Sequence, residues 1–396
     1  MVRVIVAGLI PLLTLVVGGA VDTRTTPEPE ARAAVAAPCA PAPLEQRAGL
    51  PLLVGLGSAA AASDPSVVEV LDAGVGGVLL TPGTVRSPQQ VADLVAGLRA
   101  GAGRPLVVAT GDESGRVSTF RGVLGATPSA RTLAAGDVDD VRSEARRIGT
   151  ALAGLGVDLV LAPVVDLDGG PAGAVIGDRS FSADPDVAGR YGRAWAEGLA
   201  DAGLHPTAKH FPGHGRTQVD SHVTLPQVTV GMQELRREDL APFAALIDSG
   251  VPAVMVGHLA YSAVDASLPA SMAPRAYALL RDMGFEGVAM TDSLVMGAVS
   301  RQFAAPEAAV RAVAAGADAV LTEEGGSARA LRDALATAVR DGRLAEDRLD
   351  QAATRMIALA GGDPRPVTCR AARLPRMEVA PASGAAEGAS RRAPRR

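Results

Sequence analysis

Eight short runs rich in aliphatic residues recur along the chain, separated by segments of helical period, and this alternation constrains the fold more than any single motif. The runs cover residues 52–56, 77–80, 105–110, 157–163, 207–211, 253–258, 287–291 and 317–322. Helical period is clear in 91–100, 137–155, 186–202, 232–249, 274–283, 306–315 and 328–341. Parallel strands need such crossovers, and eight strand-helix units in one chain fit a barrel better than a doubly wound sheet. The expected fold is therefore α/β, a (β/α)8 TIM-type barrel forming a single catalytic domain over 49–362. With 48% apolar residues the chain has ample material for its core.

The ends read differently. After Arg3, residues 4–21 carry no charge, are broken by Pro11 and finish with Gly18, Gly19 and Ala20. That is the pattern of a signal peptide or N-terminal anchor over 1–21; the mid-run proline favours cleavage over a stable span. Residues 22–48 read as a Pro/Ala-rich linker and 363–396 as a disordered basic tail. Cys39 and Cys369 bracket the regular region, which points either to one disulfide in an exported protein or to two unpaired thiols. Cys39 as a lipid-attachment site is disfavoured by the preceding Ala36-Ala37-Pro38. The expected location is extracytoplasmic, secreted or held at the outer face of the membrane, with membrane contact only through the N-terminal segment. A net charge of −5 gives no electrostatic footprint for nucleic acid. A monomer is expected.

A barrel places chemistry in the loops after the C-terminal ends of its strands. Asp112 and Glu113 follow the third run, Asp166 the fourth, Lys209, His210, His214 and His222 come with the fifth, His258 ends the sixth and Asp292 the seventh. Four of the five histidines thus fall at the expected mouth, His205 being the exception. In the fifth loop, Lys209-His210-Phe211-Pro212-Gly213-His214-Gly215 is kept out of helix by Pro and Gly. A carboxylate two residues from an imidazole, as in Asp220 and His222, can orient the ring for acid/base work or form a plain surface ion pair. Asp292, directly after an apolar run, is a helix cap or a reactive group.

Together these motifs resemble glycoside hydrolase family 3, in its branch of single-domain bacterial β-N-acetylhexosaminidases, from about residue 50 to 360. The resemblance is carried by Ala162-Pro163-Val164-Val165-Asp166, by Val175-Ile176-Gly177-Asp178-Arg179-Ser180-Phe181-Ser182-Ala183-Asp184-Pro185, and by the 209–215 loop with Asp220-Ser221-His222 and Leu225-Pro226. It implies retaining hydrolysis of terminal β-linked N-acetylglucosamine through a covalent glycosyl-enzyme. Asp292 would be the nucleophile, His222 the acid/base and Asp220 the group that fixes the ring. Arg179, Lys209, His210, Asp112, His258 and Met296 would bind the sugar. The implied partners are N-acetylglucosaminides and muropeptide fragments, with no metal and no organic cofactor.

One stretch departs from the family pattern. The family usually reads Asp, a polar residue, Glu, Gly, Gly, Arg, Val; here the order is Gly111-Asp112-Glu113-Ser114-Gly115-Arg116-Val117. Asp112 is displaced by one residue from the expected sugar-binding Asp, and a one-residue slip reverses the face a side chain presents. Aromatic residues are only 3% of the chain, so sugar stacking falls to Phe181, Phe211 or Tyr261 and a site for one sugar is expected. Rival readings are a metal hydrolase using His210, His214 and His222, a sugar-binding protein with impaired turnover, and an N-acetylglucosaminide phosphorylase. The first is disfavoured because Pro212 and Gly213 prevent the helix that His-x-x-x-His ligation uses.

Overall fold

The computed structural model describes residues 39–377. The expected leader, most of the linker and the end of the basic tail lie outside the described residues. All eight expected strands form: β1 (Leu52–Gly55), β2 (Gly77–Leu80), β3 (Val107–Thr110), β4 (Leu159–Val160), β5 (His205–Phe211), β6 (Ala253–Val256), β7 (Val288–Thr291) and β8 (Val320–Thr322). They pair in parallel in the order β7-β6-β5-β4-β3-β2-β1-β8. The seam between β7 and β8 is thinner, made by a Met290–Ala319 bridge and by amides of Thr291 and Leu294 donating to the carbonyls of Ala319 and Leu321. The result is a nearly closed barrel with helices outside.

Strand alternation divides the core in two. Leu53, Leu79, Val107, Ala109, Leu159, Leu161, Met255, Val288, Met290 and Leu321 form one cluster inside the ring, joined by Met356 and Leu359 from the helix Glu346–Leu359. Their neighbours, among them Leu52, Val54, Val78, Val108, Val160, Val254 and Val320, pack outward against the helices. This is the period of two expected of a pleated strand buried on both faces.

Local chemistry sets the helix limits. Pro185–Asp201 starts at Asp184, whose side chain accepts from the amides of Asp186 and Val187, with Pro185 in the first turn. The single helix expected over 232–249 is two, Met232–Arg237 and Ala241–Asp248. Pro242 marks the break: it lacks the amide that would continue a helix from 237, and it sits in the first turn of the second helix, where that donor has no intrahelical partner.

Ordered chain also reaches into both flanking stretches. Leu44–Gly49 is helical within the linker stretch, Arg365–Thr368 within the tail stretch, and Met377 is buried. Cys39 and Cys369 are both disulfide-bonded. Among the described residues no helix is long and apolar enough to cross a membrane.

Candidate active site

A cavity of about 430 Å³ opens at the C-terminal ends of the strands. Its floor is the upper layer of the barrel interior, Leu79, Leu161, Met255 and Leu321. Polar groups come from the loops above, so the apolar core fixes where the walls stand.

The β3 loop is a small hairpin, Asp112–Ser114 against Val117–Ser118. Alternation along it turns Gly111 and Glu113 to the cavity and Asp112 away. Asp112 is buried and accepts from the amide of Phe120 at 2.9 Å, bracing the hairpin. The expected sugar contact from Asp112 is therefore corrected. Glu113 takes the polar role at this wall, accepting from Arg179 Nε and Nη2 at 2.6 and 2.7 Å and pairing with Lys209 Nζ at 2.5 Å. Burial pushes Glu113 up, but Arg179 and Lys209 outweigh it and hold the carboxylate well below its ordinary range.

A second ion pair ties the hairpin to the β4 loop. Arg116 Nε donates to Asp178 at 2.8 Å, and its Nη2 donates to the carbonyls of Ala174 and Ile176. Consecutive residues Asp178 and Arg179 thus grip opposite charges on one hairpin. The turn before them needs Gly177, at φ 55°, where a Cβ would stand 2.2 Å from the Ala172 carbonyl.

The β5 loop is organised around the buried Asp166. One carboxylate oxygen accepts from the amides of His210 and His214 at 3.1 and 2.6 Å, and the other lies 2.6 Å from His210 Nδ1. Nδ1 is thereby the protonated nitrogen and Nε2 faces the cavity side, 3.4 Å from Arg179. His214 Nε2 lies 3.0 Å from the Ser221 hydroxyl. At the open end, His222 Nδ1 is 2.8 Å from Asp220 Oδ1, which also accepts the His222 amide at 2.9 Å. Partial burial pushes Asp220 up, but the amide and ring of His222 hold it below its ordinary value. His222 stays exposed, with Nε2 the nitrogen left to exchange protons.

Asp292 follows β7 and lines the cavity, one oxygen accepting from the Ser293 amide at 2.8 Å. Burial raises its pKa, yet His210, His258, the Ser293 amide and Lys209 together bring it below the ordinary value, so it is ionised near neutrality. His258 does not line the cavity. It is fully buried, which pushes its pKa down, and its neutral ring donates Nε2–H to the Ser293 carbonyl at 2.9 Å while Nδ1 accepts from Ser271 at 2.7 Å. The expected sugar contact from His258 is corrected to a brace for the turn behind Asp292.

Asp292, His222, Arg179, Lys209, His210 and Met296 line the cavity together, with Asp220 bonded to His222. The three aromatic candidates do not. Phe181 packs on Tyr191 and Trp195, Phe211 on Phe243, and the Tyr261 hydroxyl donates to the Gly213 carbonyl. Two carboxylates without an expected role, Glu113 and Glu323, line the same cavity. Glu323 directly follows β8 and Glu113 lies in the hairpin after β3, so a position just past a strand end was the available signal. Among the described residues no group of three or more His, Cys, Asp or Glu side chains is spaced to hold a metal ion.

The glycosyl hydrolase family 3 N-terminal domain matches residues 48–359. Beta-hexosaminidase LpqI of Mycobacterium tuberculosis is 38% identical over 338 residues, covering 82% of this chain and 85% of that protein. A glycosyl hydrolase of the GH3 family from Mycobacterium smegmatis superposes with a TM-score of 0.75 at 36% identity, covering 80% of this chain and 97% of the other. A glycoside hydrolase family 3 beta-N-acetylglucosaminidase from Paenibacillus superposes with a TM-score of 0.77 at 35% identity, over 88% of this chain and 66% of the other.

Proposed function

The chain belongs to glycosyl hydrolase family 3 and is a glycoside hydrolase, and from that premise we propose that it removes terminal β-linked N-acetylglucosamine with retention of configuration. The observation that carries the reading is the meeting, in one cavity, of the ionised Asp292 from β7 and the Asp220–His222 pair from the β5 loop. A carboxylate oxygen of Asp292 bonds to the anomeric carbon as the bond to the leaving oxygen breaks, and His222 Nε2 gives that oxygen its proton. Water then adds at the same carbon, Nε2 takes the water proton, and Asp292 leaves. Asp220 holds Nδ1–H throughout, so the ring exchanges protons at one nitrogen only.

Arg179, Lys209, His210 and Met296 form the sugar wall. Glu323 lines the cavity as well, and burial together with the nearby Asp292 pushes its pKa up. Muropeptide fragments outside the cytoplasm are the substrates we assign. That assignment is supported by the apolar run over 4–21 and by the oxidised state of both cysteines.

The test is release of p-nitrophenol from its β-N-acetylglucosaminide and from its β-glucoside by the full chain, with and without phosphate. Turnover of the first substrate, unaffected by phosphate and reduced roughly 10⁴-fold or more in Asp292→Asn, is expected. A phosphate-dependent rate with a sugar 1-phosphate product, or an Asp292→Asn enzyme of normal rate, overturns the scheme. N-terminal sequencing of protein recovered from the growth medium tests export; an intact Met1 inside the cell refutes it.

A further inference from the structure

Glycine is usually kept where φ is positive or where no Cβ fits. Neither reason holds at Gly111. Its backbone is outside the positive-φ region, and a Cβ built on it meets one atom within 4 Å, Thr119 Oγ1 at 4.0 Å. Gly215 shows the contrast, because a Cβ there would lie 1.8 Å from the Leu167 carbonyl. Gly111 also lines the cavity, so what its missing side chain leaves is an alcove in the cavity wall.

The position of the alcove follows from the ring. In the order β7-β6-β5-β4-β3-β2-β1-β8, closed at the β7–β8 seam, β3 is four strands from β7 in either direction. Gly111 after β3 therefore stands across the mouth from Asp292 after β7. A pyranose with its anomeric carbon at Asp292 presents the opposite ring edge, C4 and its oxygen, toward β3. Thr81, Pro82, Ser118 and Thr119 line that side. The nearby carboxylates are not free to receive the C4 hydroxyl: Asp112 faces the Phe120 amide, and Glu113 is held by Arg179 and Lys209.

We propose that Gly111 is a specificity-determining residue, and that the alcove it leaves accepts a small ether or ester group on O4 of the bound N-acetylglucosamine. The enzyme is thereby suited to sugar ends that are capped, where a side chain at this position would demand a free hydroxyl. The inference rests on the hydrolase reading above.

The experiment compares p-nitrophenyl β-N-acetylglucosaminide with its 4-O-methyl ether on the full chain and on Gly111→Ser and Gly111→Asp. The wild-type enzyme is expected to hydrolyse the two with kcat/KM values within about threefold. In Gly111→Asp the ratio is expected to fall at least about tenfold against the ether, with Gly111→Ser between the two. A wild-type enzyme that rejects the ether by more than about thirtyfold overturns the proposal, as does an unchanged ratio in a folded Gly111→Asp or, if that chain does not fold, Gly111→Ser. Silence on both substrates counts against the hydrolase reading instead. Calorimetry with free N-acetylglucosamine and its 4-O-methyl ether then decides the alcove alone: equal affinities support it, and an ether bound more than about tenfold more weakly refutes it.

Discussion

The Glu113 carboxylate faces two buried cations and almost no water, so removing its charge strands both of them. Glu113→Gln is expected to cost about 3–5 kcal/mol of stability, read as a lower urea midpoint, and to reduce kcat/KM as Arg179 and Lys209 lose their anchor. The pH dependence has a definite sign. Because the folded-state pKa of Glu113 is depressed, its contribution is complete above the ordinary value near 4.3 and is lost as pH falls toward the folded value. Urea midpoints of the wild-type chain should therefore fall more steeply below about pH 4 than those of Glu113→Gln; parallel slopes would contradict the pairing. Most of the candidate site was legible at this scale. Asp292, Asp220, His222, Arg179, Lys209, His210 and Met296 announced themselves through strand-end positions and family motifs. Asp112 was expected at the sugar and Glu113 was given no role, because which of two adjacent carboxylates faces the cavity depends on the pleat of a hairpin that forms only in the folded chain. His258 sits at the expected strand end, but its ring is consumed by Ser271 and the Ser293 carbonyl, partners remote in sequence.

Besides Asp166 and Tyr261, the loop that carries His222 is anchored by Arg216. Arg216 donates to Asp239 at 2.6 Å, to Glu234 at 2.7 Å and to Glu238 at 2.7 Å, joining the loop to the segment that follows it. The two glutamates are partly exposed and contribute little, whereas Asp239 is buried and loses its partner if Arg216 is removed. Arg216→Met is expected to destabilise by about 1–3 kcal/mol and to open 212–222 to proteolysis while leaving the barrel strands protected. A cleavage pattern identical to wild type would count against this anchoring. At the element scale the eight strands were readable because apolar runs bounded by Gly and Pro are local signals. The break at Pro242 was missed because the apolar period continues across it, and the Asp112–Ser118 hairpin because its strands are too short for any period to show.

The barrel interior ends just beneath the cavity, so the molecule offers depth for little more than one sugar. With N-acetylglucosamine oligomers the expected product is monosaccharide removed from one end. The kcat/KM should be flat, within about twofold, beyond the disaccharide; a steady rise with chain length would imply an extended cleft. The barrel itself was legible because ring order follows chain order, one crossover at a time. The cavity's electrostatics were not, since they arise where loops from β3, β4, β5 and β7 converge. The contribution of Met356 and Leu359 to the interior has a consequence for how the protein is made. Those side chains, with β8, come near the end of the chain, so a ribosome emits seven strands before the ring can be sealed against water. A product stopped after residue 345 retains every strand but lacks the plug, and it should collect in inclusion bodies rather than in solution. Solubility, in such a chain, is expected to turn on whether the helix Glu346–Leu359 is present to cover the barrel interior.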